Sequence, residues 1–156
     1  MGVILPGSYD PVTLGHLEII KKAAELYEEV YAVVFINPDK EYMFSIEERV
    51  SMLMLATDNL KNVIVSYSTG YVIDYMREHG IEKIIKGYRN EKDLEYEKLQ
   101  ADWNYKNGGY ETELWQCDSE YSGVSSTLAR RAIKEGKDLS GLLPQSVIEY
   151  IAKRRG

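Results

Sequence analysis

One cysteine and two histidines in 156 residues leave little from which to build a disulfide or a protein-held metal centre. Cys117 has no second cysteine to pair with, which fits a reducing compartment. Positive charge is short too. Nineteen Lys+Arg stand against 25 Asp+Glu, and the net charge of −6 opposes non-specific binding to nucleic acid or to an anionic membrane. Any phosphate site must therefore be a local basic pocket. No apolar run approaches the roughly 20 residues needed to span a bilayer. The opening residues also lack a basic stretch followed by an apolar core, so the expected compartment is the cytoplasm. Two nucleotide-binding signatures are missing: neither G-x-G-x-x-G at the first turn nor G-x-x-x-x-G-K-(S/T) occurs. Repeats, low-complexity tracts and Pro-, Gly- or Ser-rich linkers are absent as well. Residues 1–156 are expected to fold as one domain, with 44% hydrophobic residues enough for a core without cross-links.

What is present is a regular alternation. β-rich runs at 2–5, 29–36, 62–67, 83–87 and 111–117 read as strands. Between and after them, helical spacing of apolar residues or capping signals mark helices over 16–27, 45–59, 70–80, 90–108 and 125–136. The second opens on a capping box of Ser45 and Glu48, and a last short helix over 143–155 has Pro144 near its start. Strand followed by helix, repeated, implies parallel pairing through right-handed crossovers. The expected fold is α/β: a Rossmann-like, doubly wound, five-stranded parallel sheet with helices on both faces. Ligands of such sheets lie beyond the carboxyl ends of the strands.

The stretch "GSYDPVTLGH" (7–16) lies at such an end. An ordinary strand-to-helix turn needs one glycine or proline and no imidazole. Here backbone N–H groups, the Ser8 hydroxyl and His16 at the start of a helix can converge on an anion. Taken singly, such a histidine is more often a helix-start or surface residue.

This string resembles the (H/T)xGH signature of the nucleotidyltransferase superfamily, here Thr13-Leu14-Gly15-His16. Threonine in the first motif position, after Asp-Pro, resembles the phosphopantetheine adenylyltransferase family. Three further stretches resemble that family in order and spacing. They are "NPDKEYMFSIEERV" (37–50), "IIKGYRNEKDLEYE" (84–97) and "SGVSSTLAR" (122–130), and the C-terminal "GKDLSGLLPQSVIEYI" agrees as well. The likeness covers nearly the whole chain.

The resemblance implies adenylyl transfer from ATP to 4′-phosphopantetheine in coenzyme A synthesis, giving dephospho-coenzyme A and pyrophosphate. It implies His16, Lys40 and Arg89 as catalytic residues. The ATP site would comprise Ser8, Tyr9, His16, Gly87, Tyr88, Arg89, Glu97 and the loop Ser122, Gly123, Val124, Ser125, Ser126, Thr127 and Leu128. Ser8, Lys40, Val72 and Lys86 would hold the acceptor. It also implies Mg2+, carried mainly by the ATP phosphates rather than by the protein, and a homohexamer. The chemistry agrees on general grounds. The acceptor phosphate can attack the α-phosphorus itself, so the protein has only to orient the reactants and neutralise charge. Arg89 can fork two phosphate oxygens, whereas Lys86, where the family commonly has arginine, keeps the charge and loses the fork. Three hydroxyls in a row, Ser125 to Thr127, exceed the needs of one helix cap.

The acceptor pocket departs from the family's pattern at Phe35, Tyr71, Val72 and Gln100, and the nearby loop at Tyr121 and Gly123. Phe35 and Tyr71 either line the pantetheine arm or pack the core. Transfer to another phosphorylated acceptor, nicotinate mononucleotide or glycerol 3-phosphate with CTP, remains an alternative, as does a catalytically weak nucleotide-binding module. Glu95 is expected to face water, and Lys153, Arg154 and Arg155 to form a solvated tail.

Overall fold

A computed structural model describes residues 2–155. Five strands form one sheet: β1 (Gly2–Gly7), β2 (Glu29–Phe35), β3 (Val63–Ser68), β4 (Lys83–Tyr88) and β5 (Glu111–Gln116). The helices are α1 (Leu14–Leu26), α2 (Ile46–Ala56), α3 (Val72–His79), α4 (Glu91–Gly108), α5 (Ser126–Glu135) and α6 (Gln145–Arg155). All pairings are parallel in the order β3-β2-β1-β4-β5, the doubly wound arrangement read from the sequence.

The period-two alternation of the strands sorts side chains onto two faces. Val3, Leu5, Val30, Ala32 and Val34 meet buried residues of α1, α2, α5 and α6, such as Ile20, Leu53, Ile133 and Val147. Ile4, Val33 and Ile84 meet Tyr75, Met76 and Ile81 on the other side. Each fully buried aliphatic side chain contributes on the order of 1.5–3 kcal/mol of transfer free energy, so the strands are pinned from both faces.

Two boundaries differ from the sequence reading in ways that shape the site. β1 runs on through Pro6 to Gly7. Helix α1 begins at Leu14 rather than at His16, because the Thr13 hydroxyl caps it by accepting from the His16 N–H. The tail expectation is corrected at Arg154; Lys153 is exposed as expected, and the Arg155 side chain lies outside the described residues. Arg154 ion-pairs with Glu48 on α2 and lies over the Phe44 ring, 5.0 Å from its centroid. The packing of α6 on α2 brings it there. No helix among the described residues is long and apolar enough to cross a membrane.

Candidate active site

Although β1 and β4 are neighbours, their ladder is confined to Val3–Lys83 and Ile4–Ile84. Pro6 has no N–H with which to extend it. Lys86 reaches across instead, its Nζ donating to the Pro6 carbonyl at 3.2 Å. Here, where the strand order reverses, lies a pocket of about 350 Å³ lined by Leu5 to Asp10 on one side and Ile85 to Gly87 on the other. Gly87 is required on steric grounds: a Cβ there would stand 2.9 Å from Cγ1 of Ile19 on α1.

The turn after β1 is held from every side. Tyr9 adopts a left-handed backbone (φ 47°), and its buried hydroxyl donates to the Leu5 carbonyl at 2.8 Å. Burial pushes the phenol's pKa up, so it stays protonated. The Asp10 carboxylate, only 3% exposed, accepts from the N–H groups of Met43 (2.9 Å) and Phe44 (3.0 Å), tying the turn to the segment before α2. Arg49, on α2, donates to the Ser8 carbonyl at 3.0 Å. From α5, Ser126 donates to the Pro11 carbonyl and Arg130 to the Asp10 carbonyl, each at 2.9 Å.

His16 occupies the third position of α1. The Thr13 backbone N–H donates to its Nδ1 at 3.0 Å, completing a capping box with the Thr13 hydroxyl. A nitrogen that accepts an N–H carries no proton, so the neutral ring holds its proton on Nε2. Burial, then the charges of Lys86 and Arg89, lower the imidazole pKa to about 4. The ring is thus a neutral donor at pH 7, braced edge-on against Tyr9 with centroids 5.0 Å apart.

Four cations line the pocket: Lys40, Lys86, Arg89 and Arg130. Lys86 is steadied by Glu97 at 3.4 Å, so Glu97 stands against this lysine on the side of α4 facing the sheet. The Arg89 fork is not free. Its Nε and one terminal nitrogen hold both oxygens of Asp93, at 2.8 and 3.2 Å, which leaves three N–H groups to offer elsewhere. Asp93 and Glu97 share one face of α4 at i, i+4 spacing, while Glu95 is exposed as expected. At α5 the three hydroxyls divide the work. Ser125 caps the helix through the Leu128 N–H, Ser126 pins Pro11, and Thr127 accepts from Arg130.

Of the residues singled out from the sequence, Ser8, Tyr9, His16, Lys40, Lys86, Gly87, Arg89, Glu97, Val124, Ser125, Ser126 and Thr127 line this pocket. Tyr88, Ser122, Gly123 and Leu128 do not. Val72 and Gln100 line an adjoining groove of about 120 Å³, which shares Pro6, Lys86 and Glu97 with the pocket. Phe35 packs with the core residue Tyr75, their rings edge-on at 6.1 Å. Tyr71, 63% exposed, lies instead against Trp103. Sequence reasoning assigned no role to Asp10, Arg49, Asp93 or Arg130. Arg130 lay inside the quoted "SSTLAR" stretch, the one signal that pointed to it.

A model of the Cytidylyltransferase-like family matches residues 4–132. Three relatives, each called phosphopantetheine adenylyltransferase, are 40% identical to the chain. That of Corynebacterium efficiens aligns over 155 residues, 99% of this chain and 98% of the relative. Those of Clostridium novyi and Corynebacterium diphtheriae align over 154 and 152 residues, covering 98% and 97% of this chain and 96% of each relative. The chain belongs to the phosphopantetheine adenylyltransferase family. Four of the stretches that resemble this family meet in one place: residues from 8–16, Lys40, residues from 85–97 and 124–130 line the same pocket, whereas the C-terminal 136–151 does not.

Proposed function

We propose that the chain is a cytoplasmic, magnesium-dependent pantetheine-phosphate adenylyltransferase, joining ATP and 4′-phosphopantetheine to give dephospho-coenzyme A and pyrophosphate. The observation that carries this reading is the state of His16: neutral, with Nδ1 occupied by the Thr13 N–H and Nε2–H left to donate among the pocket's cations. An oxygen of the acceptor phosphate attacks the α-phosphorus of ATP, and the new P–O–P link forms as the bond to pyrophosphate breaks. No protein nucleophile or base is needed. The Nε2–H of His16 donates to an α-phosphate oxygen, where charge builds in the transition state. Ser8, Lys40 and Lys86 hold the acceptor phosphate. Arg89, Glu97 and the pocket-lining residues Val124, Ser125, Ser126 and Thr127 hold ATP, with the N-terminus of α5 offered to its outer phosphates.

Magnesium fits as an ion that arrives with the triphosphate. The pocket's carboxylates are already engaged, Asp10 by two N–H groups, Asp93 by Arg89 and Glu97 by Lys86. When bound it would neutralise phosphate charge. Exposed Tyr96, Leu99 and Tyr105 on α4 favour self-assembly, read as a homohexamer and checked by light scattering.

The test is calorimetric titration with 4′-phosphopantetheine, followed by ATP and Mg2+ while pyrophosphate is monitored. Binding and turnover are expected, with no product from nicotinate mononucleotide, or from glycerol 3-phosphate with CTP. Tight ATP binding without pyrophosphate release from any acceptor would instead identify a nucleotide-binding module.

A further inference from the structure

Three of the pocket's cations face a carboxylate: Lys86 has Glu97, Arg89 has Asp93 and Arg130 has Asp10. Lys40 has none within ion-pairing distance among the described residues. It is exposed on the loop between β2 and α2, where a long side chain loses much rotamer freedom if it must act from one position. What it meets is the ring of Tyr42, with Nζ 5.5 Å from the centroid. That ring is itself fixed twice. Its hydroxyl accepts from the Asn37 N–H at 2.9 Å, and the Arg49 guanidinium lies 3.8 Å from its centroid.

Arg49 links this ring to the turn after β1. It is 2% exposed, donates to the Ser8 carbonyl, and its Nε has no hydrogen-bond partner. A buried guanidinium is costly unless its contacts repay the lost hydration. Its contacts here are the ring beneath Lys40 and the backbone of Ser8, the two elements that face the acceptor phosphate in the reading above.

We propose that Tyr42 is a positioning residue: its ring, clamped by Arg49 and by the Asn37 N–H, holds the Lys40 ammonium at the mouth of the pocket, ready for the acceptor phosphate. The clamp rests on the assignment of Lys40 to that phosphate. It supplies by cation–π contact the orientation that carboxylates give the other three cations. Tyr42 itself is not among the residues that line the pocket.

Two measurements test it. In protein carrying 13C-labelled lysine, the Lys40 Hε protons, assigned through Lys40→Arg, are expected upfield of their random-coil position from the Tyr42 ring current. They should return to that position in Tyr42→Leu. An unshifted Lys40 in the native chain would overturn the clamp. In steady-state assays, Tyr42→Leu is expected to raise KM for 4′-phosphopantetheine roughly two- to fivefold, the worth of an exposed cation–π contact, while KM for ATP stays within about twofold. Tyr42→Phe keeps the ring and should recover most of the loss. An acceptor KM that is unchanged or lowered in Tyr42→Leu, or a Tyr42→Phe no better than Tyr42→Leu, sinks the proposal. A native chain that turns over no acceptor would refute the assigned reaction, and the Hε shift would still decide whether Tyr42 holds Lys40.

Discussion

The Thr13 backbone N–H donates to Nδ1 of His16 at 3.0 Å, and this bond decides which ring nitrogen faces the pocket. It depends on the helix starting at Leu14, so that Thr13 becomes the cap and His16 the third residue. The same residues that begin α1 therefore set the tautomer of its histidine. A ring free to rotate would present either nitrogen.

Replacing His16 with alanine removes that donor. The expected loss is about a hundredfold to a thousandfold in kcat, or roughly 3 to 4 kcal/mol of transition-state stabilisation, with little change in either KM. Pyrophosphate release under saturating ATP and acceptor measures it. A comparable rise in KM with kcat preserved would assign His16 to ground-state binding.

The lowered pKa of His16 makes two pH predictions. With the ring neutral above about pH 4, kcat should show no imidazole inflection between roughly pH 5 and 8. Stability follows from linkage. Between the native value of about 4 and the ordinary 6.5, the unfolded chain binds a proton at His16 that the native chain does not. The contribution of His16 is thus whole above pH 6.5 and is lost as pH falls through that window, by up to about 3 kcal/mol. Denaturation of native protein and His16→Gln at pH 7 and pH 5 checks it: the native chain should lose more.

Gly87→Ala should be destabilising, because the added methyl would sit 2.9 Å from Ile19 Cγ1. Overpacking of this kind costs about 1–3 kcal/mol. Since Ile19 shares α1 with His16, kcat should fall along with the melting temperature. Ile19→Ala in the same chain is expected to relieve part of the clash, giving a double-mutant loss smaller than the sum of the single losses.

Asp93→Asn withdraws one acceptor oxygen and the charge from the Arg89 fork. Both side chains are about one-third exposed, so screening keeps the effect near 1 kcal/mol, or roughly fivefold in KM for ATP. Titration of ATP into the variant, beside Arg89→Ala, measures it. An Asp93→Asn chain that binds ATP as tightly as the native one would show that Arg89 needs no holding.

How much of this was legible differs from residue to residue. The strands declared themselves by apolar runs and the helices by periodicity and caps, because both patterns arise within a few residues. Glu95 is exposed, as its place on a charged helix leads one to expect. Its neighbours Asp93 and Glu97, one turn apart on the same helix, differ from it only in facing the sheet, where Arg89 and Lys86 wait. Phe35 and Tyr71 could each pack or line a groove, and only the position of α3 separates the core ring from the exposed one. Arg154 looked like a tail because nothing local to it reveals that α6 docks on α2.

The sequence by itself determined the order of elements, the pocket's place at the carboxyl ends of the strands, and the Ser45–Glu48 capping box, whose members lie three residues apart. Tertiary structure alone decided the contacts made across the chain. Arg49 reaches Ser8 from 41 residues away and Arg130 reaches Asp10 from 120, and no local pattern records either partner. Caps and periodicities are satisfied within a turn or two of backbone, whereas a buried guanidinium is satisfied by whichever carbonyl the packing of the sheet and helices brings to it.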